Sequence, residues 1–202
     1  MTSDYFYFEK KPSVMMSINP KYCELIAAGK KTIEVRKTKP KIKPPLKCYI
    51  YCTLPKERFS IGQGNYACSD NLYLCDNKVK FGEGFEDIGN ETTSLNGKVI
   101  GEFICDRITG GYLISPWSDY IQKKSCLTYS EIEKYAGDKP LWSWHISNLV
   151  IYDEPKELSE FKKYNRECWY ADLGLAKRDC PECQNRECFL TQPPQSWCYV
   201  WR

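Results

Sequence analysis

Short stretches of alternating apolar and polar residues recur along the chain, and this two-residue period predicts β-strands with one buried face. Residues 32–36 are the clearest case, because Ile33 and Val35 lie on one side and Glu34 and Arg36 on the other. Alternation or a sustained apolar run predicts further strands at 14–18, 48–53, 98–108, 141–152 and 193–201.

Two other segments carry the capping signals of short helices. Residues 19–29 begin with Asn19, a good N-cap, and end at a glycine suited to a left-handed terminus. Residues 127–137 contain Thr128 followed three positions later by Glu131, which is the spacing of a capping box. The sequence therefore predicts two helices among several strands.

Two regions between these elements differ from the rest in composition. Residues 37–47 are rich in Lys and Pro, which excludes a central strand and predicts an exposed connection. Residues 54–97 contain many Gly, Asn and Asp and predict an insertion, with a hairpin at 71–82. Few short helices among five or six strands predict an α+β fold, built on a closed or nearly closed barrel.

Charge is unevenly distributed. The formal net charge of +3 is too small to indicate nucleic-acid binding by itself. Residues 30–47, however, are dominated by Lys and Arg, with Glu34 as the single acid. The chain contains no apolar run of transmembrane length and no secretory signal pattern at its start. We therefore expect a cytoplasmic protein without a membrane segment.

The twelve cysteines, in the absence of a secretory signal, indicate reduced thiols, most of them small core side chains. Near the C-terminus, the C-P-x-C turn can present two thiolates to one tetrahedral metal ion. Two interpretations stay open for this region. The thiols are free in a loop, or a structural zinc is held by Cys180, Cys183, Cys188 and either Cys198 or Cys168. The single histidine, His145, excludes His-rich metal sites. It is either an acid–base group in a cleft or, as we expect, a hydrogen-bonded structural residue.

Lys31, Glu34 and Arg36 form the first candidate site, because a lysine at the helix–strand junction can reach two side chains on one strand face. One interpretation is an anion clamp, in which the cations bind phosphate and Glu34 orients them. In a second, Lys31 and Glu34 are catalytic and Glu34 accepts a proton. The third is a structural ion pair. Glu102 is a candidate buried carboxylate, for which Lys31 or Arg36 would serve as partner.

Lysines and aromatic residues around this site extend it. Lysines of the 37–47 connection can contact phosphates, and rings on the neighbouring strands can stack on bases. The alternative for the loop is that its lysines are only solvated. The alternative for the rings is packing in the core, and we favour core packing for Trp142 and Trp144. The candidate nucleic-acid contacts are Lys30, Lys31, Arg36, Lys37, Lys39 and Tyr51.

The order of these elements, together with the motif G-x-K-x-x-E-x-R, resembles the ASCH domain family, whose fold is similar to the PUA domain. Gly29, Lys31, Glu34 and Arg36 meet the motif. The resemblance implies a PUA-like small β-barrel with short flanking helices over residues 12–160. Residues 161–202 would be a Cys-containing extension that ends in a strand. It also implies a cleft lined by the motif residues, RNA or a nucleotide as partner, and a role in RNA metabolism.

The resemblance leaves the activity open. Some members of the family resemble amidohydrolases that deacylate a modified cytidine with a Thr nucleophile two residues before the motif Arg. Glu34 occupies that position here, and a carboxylate cannot replace the hydroxyl without changing the chemistry. Other members have been described as ribonucleases. A hydrolase acting on a modified nucleoside or RNA, and a protein-interaction module, therefore remain alternatives to a binding module.

Overall fold

The computed structural model describes residues 11–54, 59–60, 66–67, 71–75, 78–82, 93–110, 119–163 and 189–202. Its helices are α1 (Pro20–Ala27), α2 (Asp119–Ser125) and α3 (Tyr129–Ala136). Its strands are β1 (Ser13–Ile18), β2 (Ile33–Arg36), β3 (Leu46–Cys52), β4 (Phe59–Ser60), β5 (Tyr66–Ala67), β6 (Asn71–Cys75), β7 (Lys78–Gly82), β8 (Thr93–Ser94), β9 (Val99–Gly110), β10 (Trp142–Lys156), β11 (Lys162–Lys163) and β12 (Trp197–Trp201).

Seven strands form one mixed sheet in the order β11–β12–β1–β3–β9–β10–β2, which confirms the α+β prediction. No strand pairing joins the edge strands β11 and β2 in the described part of the chain, so the sheet is not a closed barrel. It is nevertheless strongly rolled. Trp144 of β10 lies 5.6 Å from Trp197 of β12, ring centroid to ring centroid, although three strands separate them in the sheet.

The two faces of the sheet bury different clusters, as the alternation predicts. Cys48 and Ile50 of β3 point into the larger cluster, which we call the inner face. Tyr49 and Tyr51 of the same strand point the other way, into a smaller cluster that we call the outer face. The outer face also holds Phe161, which lies in the segment before β11. Residues near the end of the chain thus cover one side of the central strands.

Helices α1 and α3 begin and end where their capping residues predict. The Asn19 side chain accepts a hydrogen bond from the Lys21 amide at 3.0 Å, and Thr128 and Glu131 form the predicted capping box before α3. Helix α2 was missed by the sequence analysis. It packs with α3 against Ile33 and Val35 of β2, so the apolar side of this edge strand is buried beneath two helices. None of the described helices is long and apolar enough to cross a membrane.

The insertion contains the predicted hairpin, in which β6 and β7 pair antiparallel. Its Leu72 is fully buried in the inner-face cluster, so this part of the insertion belongs to the core. Gly101 of β9 lies where the backbone of β10 comes very close. A Cβ atom there would clash with the Val150 carbonyl oxygen on β10. Only glycine fits at this point of the strand pair.

Candidate functional site

Strand β2 presents Glu34 and Arg36 to the inner face because its alternate residues are taken up by α2 and α3. Glu34 lies opposite Trp144 in the ladder with β10, and Arg36 lies opposite Trp142. Facing residues in an antiparallel pair project to the same side of the sheet. The two charged side chains therefore lie among inner-face aromatic residues, and both are largely buried.

Lys31 reaches the same place from the end of α1. Gly29 has φ +69°, the left-handed geometry that ends the helix and turns the chain toward β2. The Lys31 Nζ atom donates a hydrogen bond of 2.6 Å to the Ser125 carbonyl and lies 3.3 Å from Glu34 Oε2. With 2% of its surface exposed, Lys31 is a buried cation, and these two contacts offset its loss of solvent.

The ring of Tyr22 completes the surroundings of this ammonium group. The Lys31 Nζ atom lies 5.0 Å from the centroid of that ring, within the range of a cation–π interaction. Burial, together with the negative charges of Glu131 and Glu34, raises the pKa of the Tyr22 hydroxyl to about 12. Tyr22 therefore stays neutral at physiological pH.

Arg36 continues the cluster on the other side of the carboxylate. Its Nη2 atom lies 3.2 Å from Glu34 Oε1 and donates a hydrogen bond of 2.7 Å to the Ser17 carbonyl of β1. One carboxylate thus contacts two cations, so these three side chains together carry one net positive charge. The predicted convergence of Lys31, Glu34 and Arg36 is what the structure contains, although all three side chains are more buried than residues of an open cleft.

Three side chains of the β2–β10 pair also retain unused hydrogen-bonding atoms. Arg36 Nε, Trp144 Nε1 and Glu34 Oε2 are buried and have no hydrogen-bond partner in the described part of the chain. Glu34 Oε2 is within ion-pair distance of Lys31, but the geometry is not that of a hydrogen bond. Two donors and one acceptor of this cluster are therefore buried without a hydrogen-bond partner among the described residues.

The basic loop, which we define as residues 37–45, runs beside this cluster. The Lys39 ammonium lies 4.1 Å from the ring centroid of Trp142, and the Lys37 ammonium lies 5.1 Å from that of Tyr135. The loop is fixed to β12 by Trp197 and Tyr199, two residues that the sequence analysis did not include in the site. Lys30 is exposed next to Lys31, and the exposed lysines of the loop are Lys39, Lys41 and Lys43.

Two residues that were predicted to belong to this site lie elsewhere in the structure. Tyr51 is buried on the outer face with Tyr49 and Phe161, so the structure does not bring it to the motif residues. Glu102 does not use Lys31 or Arg36 as a partner either. It contacts Lys47 Nζ at 2.9 Å and accepts a hydrogen bond of 2.6 Å from the Tyr152 hydroxyl.

His145 is buried next to the site rather than in it. Its Nε2 atom lies 3.0 Å from the Thr109 hydroxyl, and burial, followed by the charge of Arg107, lowers its pKa. A neutral, hydrogen-bonded imidazole agrees with the structural role that we expected.

The predicted zinc ligands are mostly outside the described residues. Cys180, Cys183, Cys188 and Cys168 all fall there, so the zinc hypothesis stays a prediction. Cys198 is described and is a half-buried free thiol of β12, whose pKa is raised by burial to about 11. Among the described residues, no group of three or more His, Cys, Asp or Glu side chains is arranged to hold a metal ion.

Comparison with known proteins identifies the family. A model described as the ASCH domain matches residues 16–168. The fold is similar to the crystal structure of ASCH from Zymomonas mobilis, with 18% sequence identity and a TM-score of 0.52 over 95% of this chain and 89% of that chain. No curated protein matches the sequence at a significant level.

Two mutant forms of the Zymomonas mobilis protein give the same picture. They are 18% and 16% identical to this chain, each with a TM-score of 0.53. The matches cover 95% and 96% of this chain and 92% and 91% of theirs. At this level of identity the similarity establishes the fold alone.

Proposed function

The chain belongs to the ASCH domain family, and from this premise we propose that it binds single-stranded RNA or a nucleotide in RNA metabolism. The observation that carries the proposal is the charge balance on the inner face. Glu34 contacts both Lys31 and Arg36, so these three largely buried side chains carry one net positive charge. A buried surplus charge is stabilised by an anion, and the phosphate group is the anion that every nucleotide carries.

The three motif residues have different roles in this proposal. Arg36 is the phosphate ligand, because its Nε atom is an unused donor on the inner face. The Lys31 ammonium is already bonded to the Ser125 carbonyl, so it contributes its charge at short range. Glu34 orients both cations through the contacts of 3.3 and 3.2 Å.

The basic loop and the adjacent rings extend the ligand surface. Lys30, Lys37 and Lys39 add positive charge around the motif, and half-buried Trp142 offers an aromatic surface at the edge of the loop. Phosphates bound by lysines and bases stacked on rings are the usual means of holding single-stranded RNA. We assign residues 12–160 to this domain, with 54–97 as an insertion and 161–202 as a C-terminal extension.

The salt dependence of RNA binding tests the proposal. For a labelled single-stranded RNA of about ten nucleotides, four phosphate contacts predict a slope of log K against log salt of about −2.8. Fluorescence anisotropy between about 50 and 200 mM salt measures this slope, with an unphosphorylated nucleoside as the control ligand. Absence of RNA binding, or binding that is independent of salt, contradicts the proposal.

A second candidate function, hydrolysis of a modified nucleoside or of RNA, is favoured by one contact. The Lys31 ammonium lies 3.3 Å from Glu34 Oε2, a carboxylate oxygen without a hydrogen bond, and such an oxygen can accept a proton from a hydroxyl or amide group. Glu34→Gln removes this base. Loss of hydrolysis in that variant supports the enzyme, whereas equal turnover in both proteins removes Glu34 from the mechanism.

A further inference from the structure

The last strand of the chain lies outside the residues matched by the family model, which end at 168. Strand β12 nevertheless enters the main sheet. It pairs antiparallel with β1, where Met16 faces Trp197 and Val14 faces Tyr199. The Ser17 amide also donates a hydrogen bond of 3.0 Å to the Ser196 carbonyl. The C-terminal strand is therefore built into the same sheet as the motif residues.

Strand β12 also holds the basic loop from one side. The Tyr199 hydroxyl accepts hydrogen bonds from the amides of Lys41 at 2.8 Å and Ile42 at 3.3 Å. Trp197 Nε1 donates a hydrogen bond of 2.9 Å to the hydroxyl of Thr38. Prolines have no amide donor and reduce the number of donors in this loop. The amides of Lys41 and Ile42, in the middle of the loop, both bond the same Tyr199 oxygen. Tyr199 thus fixes the backbone between the lysines of the loop.

The same two aromatic residues connect the loop to the inner face. The ring of Trp197 contacts that of Trp144, and the centroids of Trp197 and Tyr199 are 5.4 Å apart. Trp144 in turn faces Glu34 across the β2–β10 ladder. A continuous row of rings therefore runs from the motif carboxylate to the amides of the basic loop.

We propose that β12 is a positioning element of the ligand surface, in which Tyr199 and Trp197 hold the basic loop so that its lysines face a bound phosphate chain. This inference rests on the proposed function. Its physical basis is preorganisation. A loop fixed before binding loses less conformational entropy when its lysines contact the ligand.

Tyr199→Phe tests the proposal, because it removes only the hydroxyl and keeps the ring. We expect RNA affinity to fall about three- to tenfold, the loss that corresponds to one or two net hydrogen bonds. The salt slope should become shallower as the lysines lose register with the phosphates. Tyr152→Phe is the matched control, since it removes a partly buried hydroxyl bonded to Glu102 on the outer face.

Limited proteolysis gives a second, RNA-independent measurement. Trypsin cleaves after lysine except before proline, so Lys39–Pro40 and Lys43–Pro44 resist it while Lys41–Ile42 can be cut. Tyr199 bonds the amide of that scissile peptide, and Tyr199→Phe should therefore accelerate cleavage there several-fold. Thermal melting of Tyr199→Phe and Tyr152→Phe tests whether the faster cleavage is local to the loop or reflects a loss of global stability. Trp197→Phe loses the hydrogen bond to Thr38. Like Tyr199→Phe, it should weaken RNA binding and accelerate cleavage.

The outcomes separate the two proposals. A wild-type chain that binds no RNA refutes the proposed function and this inference with it. RNA binding by the wild type with unchanged affinity and salt slope in Tyr199→Phe refutes the inference alone. Cleavage at Lys41–Ile42 that is equally slow in the wild type and Tyr199→Phe also refutes it, because the hydroxyl then does not hold the loop.

Discussion

Glu34 and Glu102 lie on opposite faces of the same sheet and illustrate two uses of a poorly exposed carboxylate. Glu102 contacts one cation, Lys47, and one hydroxyl, that of Tyr152, so its direct partners balance its charge. Glu34 contacts two cations, and its side chain is 10% exposed against 21% for Glu102. The balanced pair is a structural contact. The unbalanced cluster retains a charge that a ligand can neutralise.

Removal of one lysine from each network should give the largest difference between them. Lys31→Met leaves Glu34 with a single cation and the buried Ser125 carbonyl without its donor, so we expect a loss of about 3–5 kcal/mol in unfolding free energy. Lys47 has a side chain that is 34% exposed, and Lys47→Met should cost about 1 kcal/mol or less. Urea denaturation measures both values. Equal losses in unfolding free energy would contradict the distinction between the balanced Glu102 pair and the unbalanced Glu34 cluster.

Neutralising each carboxylate should have different consequences for RNA binding. Glu34→Gln raises the surplus beside Arg36 from one positive charge to two. We expect affinity at low salt to increase at least about fivefold, because one charge at about 4 Å contributes about 1 kcal/mol even at the dielectric constant of water. Glu102→Gln, on the outer face, should bind as the wild type does, as measured by anisotropy. Weaker binding by Glu34→Gln would instead indicate that its orienting contacts outweigh its charge.

The smallest expected effect is on the pH dependence of the unfolding free energy, through the carboxylate of Glu102. Burial raises its pKa, but hydrogen bonds from Lys47 and Tyr152 outweigh burial, so the pKa is lowered in the folded protein. The stabilisation is therefore present above the unfolded pKa of about 4.3 and is lost as pH falls through the folded value. Glu102→Gln should flatten this part of the stability profile by about 0.5–1 kcal/mol. Unfolding curves between pH 3 and 6, at about unit intervals, measure the change.

The sequence predicted local features well because they depend on neighbours in the chain. Alternation in residues 32–36 placed Glu34 and Arg36 on one face, and the caps of α1 and α3 followed from Asn19 and Thr128. Alternation also separated Tyr51 from Ile50. It does not determine which face carries the site, and Tyr51 was assigned to the site for that reason.

Features that depend on the rolled sheet could not be obtained in the same way. The Ser17 and Ser125 carbonyls became partners of Arg36 and Lys31 through backbone positions that have no side-chain signal. The alternating aromatic residues of β12 were visible as a strand. Pairing with β1, which brings Tyr199 to the basic loop, is a long-range choice among several strands.

The hydrogen bond from Arg36 to the Ser17 carbonyl spans a part of the roll where β1 and β2 are not paired as strands. One guanidinium group therefore braces the sheet and, in the function that we propose, is also the leading contact for an anion. An engineer who wishes to alter ligand preference at position 36 would also alter the shape of the protein. Substitutions at the exposed lysines of the basic loop would alter the ligand surface and leave the hydrogen bond from Arg36 to Ser17 intact.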